Sequence, residues 1–427
     1  MKKWMEDVIN SIEEMEDEIV EFLRDLIKIP TENPPGTNYK KFAEFFGKRL
    51  EEFGYNVQYI EVPPERFEEL VPFTTSDYPR INIYAELNTE KPKPVLHFNG
   101  HFDVVPAGQG WSVDPFGGVI KDGKVYGRGA SDQKSGLVAQ VYAVEAIKRA
   151  GYKLNGKIEH SAVCDEETVG NRNAGTYYLV EKGIISKSEV DYVVITECLD
   201  PDRICLGHRG ALRFEITVYG KQAHGCMPYL GINAGMKMAK LLNIIEYELA
   251  PRLKERVTPL SVVPEEARKA SISLGTLHAG EATNLVPSRA VATFDRRLNP
   301  EENLEIGRRE IYEICKALSL IDPEFKYSIR ELYATDPVLV PKDQRLVKIF
   351  QEAIKYVYNK EPDFVLSPGT DDQRFIVHNA GIDSCIVYGP GRLTQAHVVD
   401  EHISIEDLLN GVKVMAIATG MLLGVSR

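Results

Sequence analysis

The sequence predicts an α/β protein in which a mostly parallel β-sheet domain is interrupted by a smaller ferredoxin-like α+β domain. The chain has 427 residues, more than the roughly 250–300 that one hydrophobic core usually supports, so two domains are expected. Apolar strand-like runs alternate with helical patterns in its first half, which is typical of a parallel sheet. Between residues 211 and 332 the order becomes strand, helix, strand, strand, helix, strand, which is that of a ferredoxin-like unit.

The first elements are two amphipathic helices. Apolar residues recur at helical spacing from residue 5 to 27, and Pro30 prevents continuation. Phenylalanines at helical spacing between Phe42 and Phe53 predict a second helix, which Gly54 closes. Strand-like runs then follow at 55–61, at 80–86 and from Val95 onward.

The first domain continues with a hairpin-like region at Gly117–Gly129 and a helix from about Ser135 to Ala150, which Gly151 ends. Two apolar runs, Ile158–Cys164 and Tyr192–Thr196, complete its predicted strands.

The predicted insertion has strands at 211–219, 271–278, 289–297 and 326–332, with helices at 234–248 and 303–318. A helix at 344–358, a helix beginning near Asp372, the strand Ser384–Tyr388 and a final helix from 404 resume the first pattern. The sequence therefore predicts a catalytic domain of residues 1–206 and 333–427 around an inserted domain of residues 207–332.

Composition excludes some classes of function. The net charge of -12 offers no basic excess to displace counterions from phosphates, so no nucleic-acid partner is expected. No apolar run approaches the roughly 20 residues that a membrane span needs, and acidic residues follow Lys2 and Lys3 where a signal peptide would be apolar.

Six scattered cysteines without a C-x-x-C pair indicate reduced core thiols. We expect a cytoplasmic protein with no membrane partner.

Acids and histidines recur where predicted strands end. His101 and Asp103 follow the strand that begins at Val95, and a His-x-Asp pair suits a metal-bound imidazole held by a carboxylate, although a surface turn with an incidental histidine has the same pattern. If the strand ends converge, the two imidazoles and the carboxylates suit a pair of zinc-like ions, which one carboxylate can bridge. The alternative for the paired glutamates is a solvated acidic turn. The residues concerned are His101, Asp103, Asp132, Glu166, Glu167, Glu197 and His397.

The motifs around these residues resemble those of a known family. In order they are Gly100-His-Phe-Asp-Val-Val-Pro106, Gly127-Arg-Gly-Ala-Ser-Asp132, Asp165-Glu-Glu-Thr168, Glu197, Gly220-Lys-Gln-Ala-His-Gly225 with Pro228, Thr283-Asn-Leu-Val-Pro287, Gly369-Thr-Asp-Asp-Gln-Arg-Phe375 and Ala396-His-Val-Val-Asp-Glu401. The set resembles the dinuclear zinc amidohydrolases and peptidases that include acetylornithine deacetylase, succinyl-diaminopimelate desuccinylase, aminoacylase and carboxypeptidase G.

The resemblance implies a zinc-peptidase-like catalytic domain with two Zn²⁺ per subunit, for which Co²⁺ or Mn²⁺ can substitute. It implies Glu166 as general base and Asp103 as the carboxylate that orients His101. The ligands implied are His101, Asp132 and Glu197 for one ion, and Asp132, Glu167 and His397 for the other.

The resemblance also assigns roles outside the metal centre. The inserted domain of such enzymes mediates homodimerisation, and His224 resembles the histidine that steadies the oxyanion in the partner subunit's site. Four further positions resemble substrate anchors: Asn284, Arg297, Gly369 and Arg374.

Three positions depart from the family pattern. Glu197 lies in Thr-Glu-Cys where relatives often have Gly-Glu-Pro, and Gln373 stands where relatives often have a small residue. Gly207-His-Arg-Gly210 replaces the paired arginines of succinyl-specific enzymes, and a neutral imidazole pairs less well with a second substrate carboxylate than a guanidinium does. We therefore expect hydrolysis of N-acyl amino acids, with short peptides as an alternative substrate and a catalytically silent metal-binding scaffold as an alternative of another class.

Overall fold

The computed structural model describes residues 3–71, 77–87, 89, 91–168 and 170–427. The α-helices are α1 (Lys3–Glu14), α2 (Glu16–Ile27), α3 (Tyr39–Glu52), α4 (Phe67–Leu70), α5 (Lys134–Arg149), α6 (Thr176–Glu181), α7 (Ala234–Ile244), α8 (Ala250–Lys254), α9 (Leu304–Ile321), α10 (Arg345–Tyr358) and α11 (Ile405–Leu423).

The strands are β1 (Asn56–Val62), β2 (Arg80–Leu87), β3 (Val95–His101), β4 (Val119–Lys121), β5 (Lys124–Tyr126), β6 (Lys153–Leu154), β7 (Lys157–Val163), β8 (Tyr192–Ile195), β9 (Arg203–His208), β10 (Gly210–Tyr219), β11 (Ala223–His224), β12 (Ser261–Val262), β13 (Ser271–Ala279), β14 (Leu285–Val286), β15 (Arg289–Leu298), β16 (Lys326–Thr335), β17 (Val338–Leu339), β18 (Asp363–Ser367), β19 (Cys385–Val387), β20 (His402–Ser404) and β21 (Val425–Ser426).

The chain divides into two compact units. The first comprises Met1–Gly207, Val340–Val365 and Asp371–Arg427, and the second comprises His208–Leu339 and Leu366–Thr370. None of the helices in the described parts of the chain is both long and apolar enough to cross a membrane.

The first unit is built on a sheet with the strand order β1-β2-β7-β3-β8-β19-β9-β18. Its centre is parallel, since β7, β3, β8 and β19 run in the same direction. The antiparallel pairs β1–β2, β2–β7 and β19–β9 flank that centre. The predicted α/β class with a mostly parallel sheet is confirmed, and the parallel strands direct their carboxyl ends to one edge.

Two helices form the core of this unit. α5 and α11 pack against each other, and α1 packs against both. Nearly all residues of α5 and most residues of α11 are buried, as expected for helices that are apolar around most of their circumference. Because α5 begins at Lys134, its position fixes the segment just before it, which contains Asp132.

The second unit has the ferredoxin-like strand order β13-β15-β10-β16, with every neighbouring pair antiparallel. α7 and α9 pack on the sheet around a core that includes Phe214, Phe294 and Cys315. Apolar residues are exposed elsewhere on the sheet, including Leu274, Leu277 and Leu332.

Some predicted elements differ from the observed ones, and local chemistry explains the differences. The helix predicted at 5–27 is interrupted at Met15, within the run 13–18, where five acidic residues would repel one another along a continuous helix. The helix predicted at 234–248 passes through a π-helical turn into α8, next to Pro251, which lacks the N–H of a regular turn.

The helix predicted near Asp372 is only a π-helical turn at Phe375–Asn379. Gly381, whose φ of +69° suits a chain reversal, lies two residues after the end of this turn. α6 and β9 were not predicted.

Candidate metal centre

Parallel strands bring the predicted ligands of the first unit to one edge of its sheet. β3 ends at His101, β7 is followed by Asp165–Glu167, and β8 is followed by Glu197. β3 pairs in parallel with both β7 and β8, so these strand ends are neighbours. This is the edge at which open α/β sheets place their ligands.

His101 is almost completely buried and faces two carboxylates. Its Nε2 lies 3.0 Å from Glu197 Oε1 and 3.2 Å from Asp132 Oδ1. Its Nδ1 lies 2.9 Å from the backbone oxygen of Asp103 and 3.4 Å from that residue's Oδ1. Because a carbonyl oxygen only accepts hydrogen bonds, Nδ1 carries a proton and Nε2 is the atom available as a ligand.

Asp132 stands between the two histidines. Oδ1 lies 3.2 Å from His101 Nε2, and Oδ2 lies 3.4 Å from His397 Nε2. His397 Nε2 also lies 2.9 Å from Glu167 Oε1. Each oxygen of Asp132 therefore faces a different imidazole, as a bridging carboxylate requires.

Glu166 lies beside this pair of sites. Its Oε2 is 4.0 Å from His101 Nε2, which is longer than a hydrogen bond. Potential ligand atoms of His101, Glu166 and Glu197 lie within 4.8 Å of one another, as do those of His101, Asp132 and Glu167. The two consecutive glutamates are thus directed to different parts of one cluster.

The Asp103 carboxylate holds the turn that carries these glutamates. Oδ1 accepts the backbone N–H of Glu166 at 3.2 Å, and Oδ2 accepts that of Glu167 at 3.1 Å. Asn33 Nδ2 donates to Asp103 Oδ2 at 2.8 Å and to Asp165 Oδ1 at 3.1 Å. The resemblance implied only the orientation of His101, so this support of the turn is an additional role for Asp103.

Sequence reasoning missed two residues that fix the ligands. Gln133 Nε2 donates to Glu197 Oε1 at 2.7 Å, while Gln133 Oε1 accepts from Thr196 Oγ1 at 2.8 Å. Glu401 accepts the backbone N–H of Asp132 at 3.0 Å. Gln133 directly follows the motif that ends at Asp132, and Glu401 ends the motif that contains His397. Their closeness to these two predicted ligands in sequence was the available signal.

The centre carries more negative than positive charge. Burial raises the pKa of Glu166 well above its usual value despite the nearby His101, and it also raises the pKa of Glu197. Burial together with the charge of Asp132 raises the pKa of Glu167 to about 7. Hydrogen bonds to Asp132 and Glu167 raise the pKa of His397 to about 11. Hydrogen bonds with His101 and His397 lower the pKa of Asp132 despite its burial, so it is Glu166, Glu167 and Glu197 that lack sufficient positive charge within the protein.

The donor set fits divalent cations. Two imidazoles and several largely buried carboxylates converge, and a buried carboxylate is costly unless a cation or hydrogen bonds compensate it. Nitrogen and oxygen donors of this kind suit zinc and similar first-row metals. Cys198, which is not among the predicted site residues, also has its sulfur within 4.8 Å of oxygens of Asp132 and Glu197.

The second unit contains four of the other predicted site residues. His224 and Asn284 are brought together because β11 pairs with β14 and Gly225 N–H donates to Asn284 O at 2.7 Å. The backbone N–H of Cys226 donates to His224 Nδ1 at 3.1 Å. Arg297 forms an ion pair with Asp295 at 2.7 Å. In the same unit, the backbone N–H of Gly369 donates to Ser367 Oγ at 3.3 Å.

Arg374 and Gln373 belong to the first unit and are both buried. Arg374 Nη2 donates to the backbone oxygen of Gly170 at 3.3 Å, and its guanidinium lies 4.4 Å from the centre of the Phe375 ring. Gln373 Nε2 donates to the backbone oxygen of Cys385 at 2.9 Å, so its side chain serves the fold around the site.

Comparison with protein families identifies one that spans most of the chain. The model of the peptidase family M20/M25/M40 matches residues 97–419. This range contains the whole cluster of His101, Asp132, Glu166, Glu167, Glu197 and His397, together with the second unit.

Curated relatives and solved structures agree with that match. Succinyl-diaminopimelate desuccinylase of Pelagibacter ubique is 28% identical over 92% of this chain and 95% of its own length. The enzyme of the same name from Methylobacterium radiotolerans is 31% identical over 79% of this chain and 83% of its own.

Among solved structures, human carnosine dipeptidase 1 matches with a TM-score of 0.73 at 22% identity, covering 97% of this chain and 98% of that one. The M20 metallo-carboxypeptidase Sso-CP2 from Sulfolobus solfataricus matches with a TM-score of 0.72 at 22% identity, covering 94% of this chain and 98% of that one. These likenesses establish the fold.

Proposed function

Because the chain belongs to the peptidase family M20/M25/M40 and is a metal-dependent hydrolase, we propose that it uses two zinc ions to hydrolyse the amide bond of an N-acyl amino acid. The observation that carries this proposal is Asp132, whose two oxygens face His101 and His397 at 3.2 and 3.4 Å. A carboxylate placed between two imidazoles, with further carboxylates beside each, is the arrangement that a two-ion centre needs.

Five side chains would hold the ions. They are His101, Asp132 and Glu197 for one ion, and Asp132, Glu167 and His397 for the other. When bound, the ions would polarise the substrate carbonyl and make an attacking water more acidic. Asp103 and Gln133 keep the ligands in place by the hydrogen bonds that they make to the Glu166–Glu167 turn and to Glu197.

Glu166 is the proposed general base. Its carboxylate lies beside the ligands, and the backbone of its turn is fixed by Asp103. A carboxylate in this position can accept a proton from water as the water attacks the carbonyl carbon. It can then return that proton to the amine nitrogen as the amide bond breaks.

Two observations support an N-acyl amino acid as the substrate: the names of the curated relatives and an arginine of the second unit. The curated relatives reported above are named as desuccinylases, and these names support a deacylase. In the second unit, Arg297 pairs with Asp295 and keeps a partly exposed guanidinium. A guanidinium of this kind suits the carboxylate of an acylated amino acid.

We further propose that Asn284, Arg297, Gly369 and Arg374 contact the substrate and that His224 steadies the oxyanion. The inserted segment 207–332 would serve as a lid and as the homodimer interface, and exposed apolar side chains such as Leu274, Leu277 and Tyr229 support an interface there. The six cysteine thiols, five of them buried, support a reducing compartment such as the cytoplasm.

A parallel assay tests this function. The purified chain would be supplied with Zn²⁺ and offered N-acetyl amino acids, N-succinyl amino acids and dipeptides, with chelator-treated protein as the control. We expect metal-dependent release of free amine from an N-acyl amino acid, and faster turnover of it than of dipeptides. Cleavage of dipeptides alone would replace the deacylase with a peptidase. Zinc binding without any hydrolysis would favour a scaffold role.

A further inference from the structure

Glu401 is a completely buried carboxylate, four residues after His397. Its Oε1 accepts three backbone N–H groups, from Gly129 at 3.0 Å, Ser131 at 2.9 Å and Asp132 at 3.0 Å. Its own backbone oxygen accepts the N–H of Gly127 at 2.9 Å. One residue thus fixes the whole segment that ends at Asp132.

The other oxygen of Glu401 extends this network to a third segment. Oε2 accepts from Arg128 Nη1 at 2.6 Å, and both side chains of this ion pair are buried. Arg128 Nη2 lies 3.5 Å from the backbone oxygen of Ala107, and the guanidinium lies 5.2 Å from the centre of a Trp111 ring. The loop with Ala107 and Trp111 follows His101 and Asp103, so the pair joins segments that carry three of the proposed ligands.

Stability alone does not account for this arrangement. A buried carboxylate beside the like charge of Asp132 is unfavourable, and a well-packed apolar side chain often replaces a buried ion pair without loss of stability. What an apolar side chain would not provide is an acceptor for three N–H groups that converge from the Asp132 segment. By fixing the backbone of this segment, that acceptor sets the direction in which the Asp132 side chain points.

We infer that Glu401 is a positioning residue that holds Asp132 between the two ion sites, with Arg128 balancing its charge. This inference rests on the proposed two-ion centre. The site completed by His397 depends on it most, because the His397 side chain is half exposed and its segment is tied to the Asp132 segment through Glu401. Without Glu401, the ion held by Asp132, Glu167 and His397, here called the second ion, should therefore dissociate more readily than the ion held by His101, Asp132 and Glu197.

Zinc titration of the full-length apoprotein against a competing chelator tests the inference. The wild type is expected to bind two equivalents. Glu401→Ala removes the acceptor and should bind one equivalent with nearly unchanged affinity and a second about 10–100-fold more weakly, the usual effect of losing a residue that supports metal ligands. The double variant Arg128→Met/Glu401→Gln keeps an oxygen for the three N–H groups without burying an unpaired charge, and it should still bind two equivalents.

Two further variants complete the design. Glu406→Ala, at an exposed position on the same segment, is the matched control and should behave as the wild type. Glu401→Asp keeps the charge but withdraws the carboxylate, and it should weaken the second ion even if Glu401→Ala does not fold. The inference fails if Glu401→Ala or Glu401→Asp binds both ions as the wild type does, or if Arg128→Met/Glu401→Gln loses the second ion as well. A wild type that does not bind two ions would instead overturn the proposed function.

Discussion

Glu166 is the side chain on which the proposed chemistry depends most directly. Replacing it by glutamine keeps the shape of the side chain but removes its ability to accept a proton. We expect Glu166→Gln to keep its zinc content and its fold while turnover falls by roughly 10²–10⁴-fold, the usual contribution of a general base. Zinc content by elemental analysis and single-turnover rates provide the measurement, with Glu406→Gln as the control. Wild-type turnover in the variant would remove Glu166 from the mechanism.

His160 illustrates how a single buried group makes stability depend on pH. Its Nε2 lies 3.0 Å from the hydroxyl of Tyr55, and its ring stacks on Phe98. Burial, helped by the nearby His97, lowers the pKa of His160 from 6.5 to about 3. Between these pH values the unfolded chain takes up a proton that the folded chain excludes. The ionisation of His160 therefore leaves the free energy of unfolding unchanged above pH 6.5 and lowers it as the pH falls towards 3.

Comparison with His160→Gln isolates this contribution, since glutamine can still bond to Tyr55 but does not titrate. The free energy of unfolding of the wild type, relative to the variant, should fall by about 1.4 kcal/mol per pH unit between pH 6 and 4. Urea unfolding followed by tryptophan fluorescence measures it, because the protein's two tryptophans, Trp4 and Trp111, both belong to the first unit. A difference that stays constant with pH would contradict the assignment.

The proposed site residues could be named from sequence on two grounds. His101, Glu166, Glu167 and Glu197 follow apolar runs that end abruptly in polar groups, whereas Asp132 and His397 lie in motifs that resemble those of a known family. Gln133 and Glu401 could not be proposed in this way, although Gln133 directly follows one of these motifs and Glu401 ends another. Their roles arise from contacts such as Gln133 with Glu197 and Glu401 with the backbone near Asp132, which are separated by 64 and about 270 residues in the chain. A sequence pattern records the residue types of a block but not which distant backbone group each side chain reaches.

The turn between β7 and α6 depends on Asp103 at the end of β3. Asp103→Asn would keep the shape of the side chain, but one of its two acceptor oxygens would become an N–H donor facing other donors, from Asn33 and from the turn. We expect zinc affinity to fall by about 10–100-fold and the backbone amides of Glu166 and Glu167 to exchange hydrogen faster. Chelator competition and hydrogen exchange measure the two effects.

Asp114→Asn is the matched control, because Asp114 also accepts a backbone N–H, from Phe116, but in an exposed turn. Unchanged zinc affinity in Asp103→Asn would show that the turn holds its shape without the carboxylate. Equal losses in both variants would show that the effect is not specific to the metal centre.

Strong periodic patterns predicted elements well, and weaker local signals did not. α3, α5 and α9 lie within a few residues of their predicted positions, because each presents a long apolar face that only a helix can bury. Interruptions such as that at Met15 depend on competition between charge repulsion along one helix and packing against others. The short helix α6 has too few residues to show a period, so it was not predicted.

The molecule as a whole consists of two units, each with its own core. The proposed ligands and Glu166 belong to the first, whereas His224, Asn284 and Arg297 belong to the second. The proposed mechanism needs groups from both units at one substrate. In a homodimer, the His224 that acts at one metal centre could come from the partner subunit or from the same chain. An experiment can distinguish these two cases.

Mixing two inactive variants makes that distinction. Consider a dimer of one Glu166→Gln chain and one His224→Ala chain. If each subunit supplies His224 to its partner's site, one of the two sites has both an intact Glu166 and an intact His224. If each site uses the His224 of its own chain, both sites stay defective. Random exchange gives about half heterodimers, so an equal mixture should recover roughly a quarter of wild-type turnover. Native mass spectrometry of differently tagged chains confirms that heterodimers form, and either variant alone is the control. Heterodimers without recovered turnover would mean that His224 acts within its own chain, and wild-type turnover of His224→Ala alone would remove His224 from the mechanism.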